Sequence, residues 1–318
     1  METDASSSPA LIGLDWGTTS LRAYLIDVTG SVMAERAEPW GIMQLGERDF
    51  ARARSDITTQ WVSAGELPVI ACGMVGSAQG WIEVPYCPAP AGATEIAGAL
   101  VRVTGTNVHL VAGVAQYGEA DVMRGEETQV IGALCLHDGL QRDARVVCPG
   151  THSKWVTLKD GRIDAFTTYM TGELYAVLTA HSILGRLARN NVTSAPKALE
   201  DAFRLGVRAA RNSKRDSASL LFSARARALL GEIRPEASLD YLSGLLIGSE
   251  VRDGLNAGAT PIALIGDAVL CGRYVDALHE FDVADTRVIA QSAPRGLWRI
   301  AEAAGLCAAF SAPRQSRQ

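Results

Sequence analysis

Apolar and polar positions set out the first elements. Leu11 to Leu14 form a short apolar run, the pattern of a buried strand. Leu21, Ala23 and Leu25 then alternate with Arg22 and Tyr24, which predicts a half-buried strand running back. Residues 27–30 read as a turn and 31–37 as a third strand. A helix is predicted over 50–64, with Phe50, Ile57, Trp61 and Val62 on one side, and a buried strand over 67–72. Residues 81–94 hold Trp81, Pro85, Tyr86, Pro88 and Pro90 and read as loop. Thr94 is placed to cap a helix over 94–103, followed by a strand over 107–111. Residues 113–125 read as a mixed, flexible stretch. Glu126 to Leu136 predicts a helix that buries Val130, Ile131 and Leu134 and carries Glu126 and Glu127 in its first turn.

The opening pattern then recurs. Residues 145–148 read as a strand, 149–153 as a loop and 154–158 as a returning strand. Lys159-Asp-Gly161 signals a hairpin turn before a third strand over 162–166. Laying Gly17-Thr-Thr-Ser20 on Gly150-Thr-His-Ser153 superposes the apolar strands and puts Asp15 on Cys148. This repetition predicts an internal duplication and two like-folded lobes, over 10–112 and 113–318. Residues 171–256 read as mainly helical, with Gly244 and Gly248 permitting close helix approach. A buried strand over 261–265 ends in Gly266-Asp267, followed by a helix over 269–280, a short strand over 288–290 and a helix over 296–310. Residues 1–9 and 311–318 are predicted to be loose.

Composition narrows the class. A 47% hydrophobic and 20% charged chain of 318 residues is ordinary for a globular protein of about two domains. The net charge of −5 offers no broad basic field for nucleic acid or an anionic membrane. Six cysteines without a CxxC or Cys/His cluster argue against zinc and a disulfide framework, and fit a reducing cytoplasm. The polar, acidic residues 1–9 lack the pattern of a signal peptide, and no apolar run reaches about 18 residues.

The turn after the first strand carries candidate chemistry. Gly17 lets backbone approach a ligand, and the amides and hydroxyls of Thr18 and Thr19 can donate to phosphate oxygens. Asp15 can hold a hydrated Mg²⁺. The same residues also suit an ordinary hairpin whose Asp and Thr satisfy their own turn.

Asp15-Trp-Gly-Thr-Thr19 resembles the first phosphate loop of the sugar kinase, Hsp70 and actin superfamily. Five further stretches resemble the 2-dehydro-3-deoxygalactonokinase family: Ala71-Cys-Gly-Met-Val-Gly-Ser77, Met123-Arg-Gly-Glu-Glu-Thr-Gln129, Pro149-Gly-Thr-His-Ser-Lys-Trp155, Met170-Thr-Gly-Glu-Leu174 and Leu242-Ser-Gly-Leu-Leu-Ile-Gly248. They span most of the chain in order. The resemblance implies a two-lobed α/β fold, ribonuclease-H-like in each lobe as in the actin-like ATPases, with ATP and Mg²⁺ in an interlobe cleft. It implies phosphorylation of 2-dehydro-3-deoxy-D-galactonate at the 6-hydroxyl in galactonate catabolism. Kinases of other sugars or sugar acids remain open, as does an ATPase module like those of Hsp70 or actin; a homodimer is also left open.

The same resemblance implies roles. Gly17, Thr18 and Thr19 would hold phosphate from one lobe, and Gly150, Thr151, His152 and Ser153 from the other. Lys154 would add charge there or point to solvent, and His152 suits local hydrogen bonding better than acid–base work. Asp15 would anchor the metal alone, since Cys148 stands where many superfamily members carry an acid. Glu126 or Glu127 would take the sugar hydroxyl's proton, with Asp121 in reserve. Arg124 would clamp the substrate carboxylate or cap its own segment. Gly73, Met74, Gly76, Ser77, Trp81 and Tyr86 would border the sugar acid, and Gly266 and Asp267 the adenosine.

Overall fold

A computed structural model describes residues 8–46, 49–64, 67–186, 195–256 and 261–307. Of the loose end predicted over 1–9, residues 1–7 lie outside the described residues and Pro9 already belongs to a strand; the end predicted over 311–318, the side chain of Val62 and the end of the helix predicted over 296–310 also lie outside them.

Two compact units are distinguished. The first comprises described residues of Met1–Ala144, Val156–Phe166 and Ile289–Gln318. In chain order it carries β1 (Pro9–Trp16), β2 (Leu21–Asp27), β3 (Val32–Glu38), α1 (Phe50–Thr58), β4 (Val69–Cys72), β5 (Cys87–Pro88) and α2 (Ala93–Gly98). There follow β6 (Val101–Arg102), β7 (Val108–Leu110), β8 (Val114–Gln116), β9 (Asp121–Met123) and α3 (Glu126–Leu136). Six strands form a mixed sheet in the order β3-β2-β1-β4-β7-β6. β1 runs antiparallel to β2 and parallel to β4, with Asp15 opposite Arg22 on one side and Cys72 on the other. Leu11, Leu14 and Trp16 are all buried, as expected of a strand covered on both faces.

The second unit comprises described residues of Arg145–Trp155 and Thr167–Val288. It holds most of β10 (Ala144–Cys148), the start of β11 (Ser153–Lys159), the end of β12 (Arg162–Tyr169), α4 (Thr171–His181), α5 (Pro196–Asn212), α6 (Ser217–Leu221), α7 (Ser223–Leu229), α8 (Ser238–Leu255), β13 (Ile262–Ile265), α9 (Ala268–His279) and most of β14 (Thr286–Ile289), while residues 156–159 and 162–166 of β11 and β12 are counted with the first unit. Its sheet has the order β12-β11-β10-β13-β14, and β10 runs parallel to β13 with Val147 opposite Leu264. The order β3-β2-β1-β4 in one sheet is matched by β12-β11-β10-β13 in the other, so the repeat read from the two loops extends to strand order. The core of this unit includes Val147, Trp155, Ile247, Leu264 and Tyr274. α5 and α8 cross at near backbone contact: a Cβ on Gly244 would lie 2.0 Å from the Phe203 carbonyl oxygen. The small residues at 244 and 248 therefore do what their spacing suggested. The chain returns to the first unit as α10 (Ser292–Ala303), which packs on α3.

Several expectations are corrected. α2 is shorter than predicted and is not capped by Thr94; the Glu95 carboxylate accepts from the Gly92 amide, and residues 101–102 are strand. The stretch 113–125 is a hairpin of β8 and β9, and Cys87–Pro88 inside the expected loop pairs with β8. The helix read over 50–64 tightens to a 3₁₀ turn after Thr58. The first unit runs on to Ala144, past the boundary read after residue 112, and α3 and α10 pack together within it. Among the described residues no helix is long and apolar enough to cross a membrane.

Candidate active site

In the first unit, three chain segments meet at the end of β1. The hairpin tip Gly17–Ser20 closes through a Gly17 N–H donation to the Ser20 carbonyl at 3.0 Å. Thr18 and Thr19 are exposed on this tip. Residues 41–43 brace it from behind, Ile42 and Met43 donating to the carbonyls of Gly17 and Thr18. A side chain at Gly41 would strike the Thr18–Thr19 backbone at 2.3 Å. Below the tip, Trp16 is buried in an aromatic cluster, with ring centroids 5.4 Å from Phe50 and 6.4 Å from Trp81.

Gly73 follows β4 at φ 92°, a backbone conformation that favours glycine, and a Cβ there would lie 2.7 Å from the Trp16 carbonyl oxygen. Gly125, at φ 110°, precedes α3, and a Cβ on it would meet Gly73 Cα at 3.3 Å. This glycine-to-glycine contact brings the start of α3 against the end of β1. Asp15, Cys72, Glu126 and Glu127 thereby gather at one place. Burial holds the Asp15 carboxyl above its ordinary range; Arg22, 3.6 Å away, opposes this and Glu126 adds to it. Glu127 is fully buried. It accepts from the Gly125 amide at 2.6 Å and from the Thr128 hydroxyl at 2.9 Å. Burial, reinforced by the neighbouring Glu126, pushes its carboxyl up to about 7. Glu126 is half-buried and accepts from the Arg124 amide at 3.1 Å. Asp121 lies in β9, where its carboxylate accepts from the Val122 amide.

Arg124 lies 4.3 Å above the Tyr86 ring and donates through Nη2 to the Val84 carbonyl at 2.8 Å. Its Nε and Nη1 are buried without a hydrogen-bond partner among the described residues. Gly76 faces the same guanidinium: a Cβ there would lie 3.1 Å from Nη1. Tyr86, Gly76 and Arg124 thus come together. Met74 begins the single 3₁₀ turn after Gly73, and the Ser77 hydroxyl is spent on the Met74 carbonyl at 2.7 Å.

In the second unit, the loop 149–152 borders a cavity of about 610 Å³. Its wall comes from Gly150 and Thr151, from Gly172 and Tyr175 of α4, and from Ser243 of α8 and Arg273 of α9. The first turn of α4 presses on the loop: a Cβ on Gly172 would lie 2.5 Å from the Gly150 carbonyl oxygen. His152 pairs with Glu173 at 2.5 Å, holding the loop to α4. The hydroxyl of Ser153, expected to face phosphate, is instead turned inward and donates to buried Glu250 at 2.6 Å. Lys154 is buried, with Nζ 3.1 Å from the His152 carbonyl. Asp267 lines the cavity but spends Oδ1 on capping α9, accepting from the amides of Val269 and Leu270. Gly266 precedes it at φ 150°.

Comparison with known proteins places this arrangement. A family model described as 2-keto-3-deoxy-galactonokinase matches residues 15–300. The chain belongs to the 2-keto-3-deoxy-galactonokinase family. A Rhizobium meliloti (strain 1021) protein named probable 2-dehydro-3-deoxygalactonokinase DgoK1 is 37% identical over 84% of this chain and 88% of its own. The 2-dehydro-3-deoxygalactonokinase of Escherichia coli (strain K12) is 36% identical over 89% of this chain and 94% of its own. A crystal structure from Sinorhizobium meliloti, described as a candidate enzyme of the same name, superposes with a TM-score of 0.84 at 35% identity, covering 92% of this chain and 98% of that one. Component A of the (R)-2-hydroxyglutaryl-CoA dehydratase of Acidaminococcus fermentans shares the fold alone, at TM-score 0.50 and 13% identity over 92% and 98%.

Within this family frame, sequence reasoning missed the cavity residues Tyr175, Ser243 and Arg273 and the buried Glu250. The first three lie in three different helices, so no motif links them. Glu250 carried one signal, an acid one turn after the apolar Leu246 and Ile247 of the same helix.

Proposed function

We propose that this chain is an ATP-dependent kinase that phosphorylates 2-dehydro-3-deoxy-D-galactonate at its 6-hydroxyl, a cytoplasmic step of galactonate catabolism. The observation that carries the reading is the pair of acids at the start of α3, held against the end of β1 in a chain of this family. Phosphoryl transfer asks for charge neutralisation, positioning and a carboxylate to receive the hydroxyl proton.

Glu126 is assigned as that base. It is half-buried, whereas Glu127 has no exposed surface and is spent on the Gly125 amide and Thr128. Glu127 is therefore assigned the task of positioning the turn from which Glu126 projects. Arg124, with two buried guanidinium nitrogens lacking hydrogen-bond partners among the described residues and an aromatic platform, suits the substrate carboxylate. Gly73, Met74, Gly76, Ser77, Trp81 and Tyr86 belong to the same region and are assigned to the sugar acid's surroundings.

The nucleotide is assigned to the 610 Å³ cavity of the second unit. Gly150, Thr151 and the amides of the loop would meet its phosphates, with Gly266 and Asp267 near the adenosine. Lys154 and His152 hold the loop rather than the ligand. Gly17, Thr18 and Thr19 would donate to phosphate from the first unit.

Among the described residues no group of three or more His, Cys, Asp or Glu could hold a metal by itself. Mg²⁺ takes one or two carboxylates and fills its remaining positions with water and phosphate. Asp15 is the carboxylate assigned to it, and the bound ion would neutralise phosphate charge.

The test is ADP release, followed with a coupled assay across a panel of 2-dehydro-3-deoxy sugar acids. The reading predicts release that requires an acid and is fastest with the galactonate derivative. Equal release without any acid would overturn it.

A further inference from the structure

Glu250, which no role above uses, sits on α8 with 3% of its surface exposed. Both of its oxygens are filled. Oε1 accepts from the Ser153 hydroxyl at 2.6 Å and the Trp155 indole at 2.8 Å. Oε2 accepts from the Tyr274 hydroxyl at 2.7 Å and from the Thr171 hydroxyl. A buried carboxylate is costly unless its lone pairs are met, and here four donors meet them. Burial still leaves its carboxyl above the ordinary range, against the pull of those donors.

The donors come from three segments, and each segment forms part of the cavity. Ser153 opens β11 directly after the cavity loop 149–152. Thr171 is the first residue of α4, and Tyr274 is on α9; both line the cavity themselves. Glu250 is absent from that lining. Loop, α4 and α9 are thus tied to one carboxylate behind the wall.

We infer that Glu250 is a positioning residue for the nucleotide: it sets the spacing of the phosphate loop, the start of α4 and α9 without touching the ligand. This rests on the assignment of the nucleotide to that cavity. A preformed site lowers the cost of binding, and a loosened wall raises it. The effect should therefore appear in nucleotide affinity and leave the sugar-acid residues of the first unit alone.

The variants are Glu250→Gln, which keeps shape and puts an amide donor among donors, and Trp155→Phe, which removes the indole N–H together with part of the buried ring. A fluorescent ATP analogue reports nucleotide Kd, and steady-state kinetics report KM for each substrate. Expected is a rise in nucleotide Kd of about 10-fold for Glu250→Gln, the loss of about one charged hydrogen bond. Trp155→Phe should give a smaller rise, with KM for the sugar acid within about twofold in both. Nucleotide Kd unchanged in folded Trp155→Phe and Glu250→Gln, with only the melting temperature lowered, would overturn the inference. If Glu250→Gln does not fold, Trp155→Phe alone decides in the same way. Analogue affinity that persists in Gly172→Leu, whose side chain would drive into the Gly150–Thr151 backbone at the cavity wall, would instead reject the cavity as the nucleotide site.

Discussion

At the residue scale the account turns on two adjacent glutamates with different surroundings. Glu126→Gln should lower kcat by about 10²- to 10⁴-fold while nucleotide Kd stays within about twofold, as measured by steady-state kinetics and analogue binding. Glu127→Gln should cost less, since it only positions; a larger loss in Glu127→Gln than in Glu126→Gln would reverse the assignment. Glu127 also carries a pH signature. Its folded carboxyl titrates near 7 against an ordinary 4.5, so the folded state holds a proton that the unfolded chain has lost. Its contribution therefore makes the protein less stable as pH rises from about 4.5 to about 7, and adds no further change above that. Melting curves across this range should show the decline in the parent protein and a flatter profile in Glu127→Gln. Arg124→Ala should raise KM for the sugar acid by about 10- to 100-fold, with nucleotide KM unaffected; an unchanged KM would exclude the carboxylate clamp.

At the element scale, what was legible in the chain was what has a period or a repeated pattern. α3 begins at Glu126 and ends at Leu136 as read, because its apolar positions recur on one face and Gly125 breaks before it. The two three-stranded meanders were legible because alternation and turn residues occur together twice. β8 and β9 were not, since strands of three residues are too short to show alternation. The cap of α2 was misread because Glu95 reaches back to the Gly92 amide, while Thr94 falls inside the helix. The joint between β4 and α3 was visible only as glycines in two motifs; that they touch is a tertiary fact. Gly73→Ala tests that joint. Its positive φ and its 2.7 Å approach to the Trp16 carbonyl predict a loss of about 1–3 kcal/mol in denaturant unfolding and a fall in kcat. Unaltered stability and rate would mean the contact is incidental.

At the scale of the whole molecule, each unit contributes a different part of the proposed reaction, and the sequence disclosed those parts unequally. Asp15, the hairpin tip and the glutamate pair lie in short motifs of the first unit, so the sequence alone points to them. The cavity of the second unit draws Tyr175, Ser243 and Arg273 from helices more than 25 residues apart in sequence, which only folding brings together. All six cysteines are free thiols. The central claim is transfer of a phosphoryl group from ATP to one hydroxyl of one sugar acid. The direct measurement is a phosphorus–proton NMR spectrum of the product formed from ATP, Mg²⁺ and 2-dehydro-3-deoxy-D-galactonate by the purified protein. The account predicts one phosphomonoester coupled to the C6 protons, formed in step with ADP. Inorganic phosphate in place of that ester, or an ester on another carbon, would contradict it.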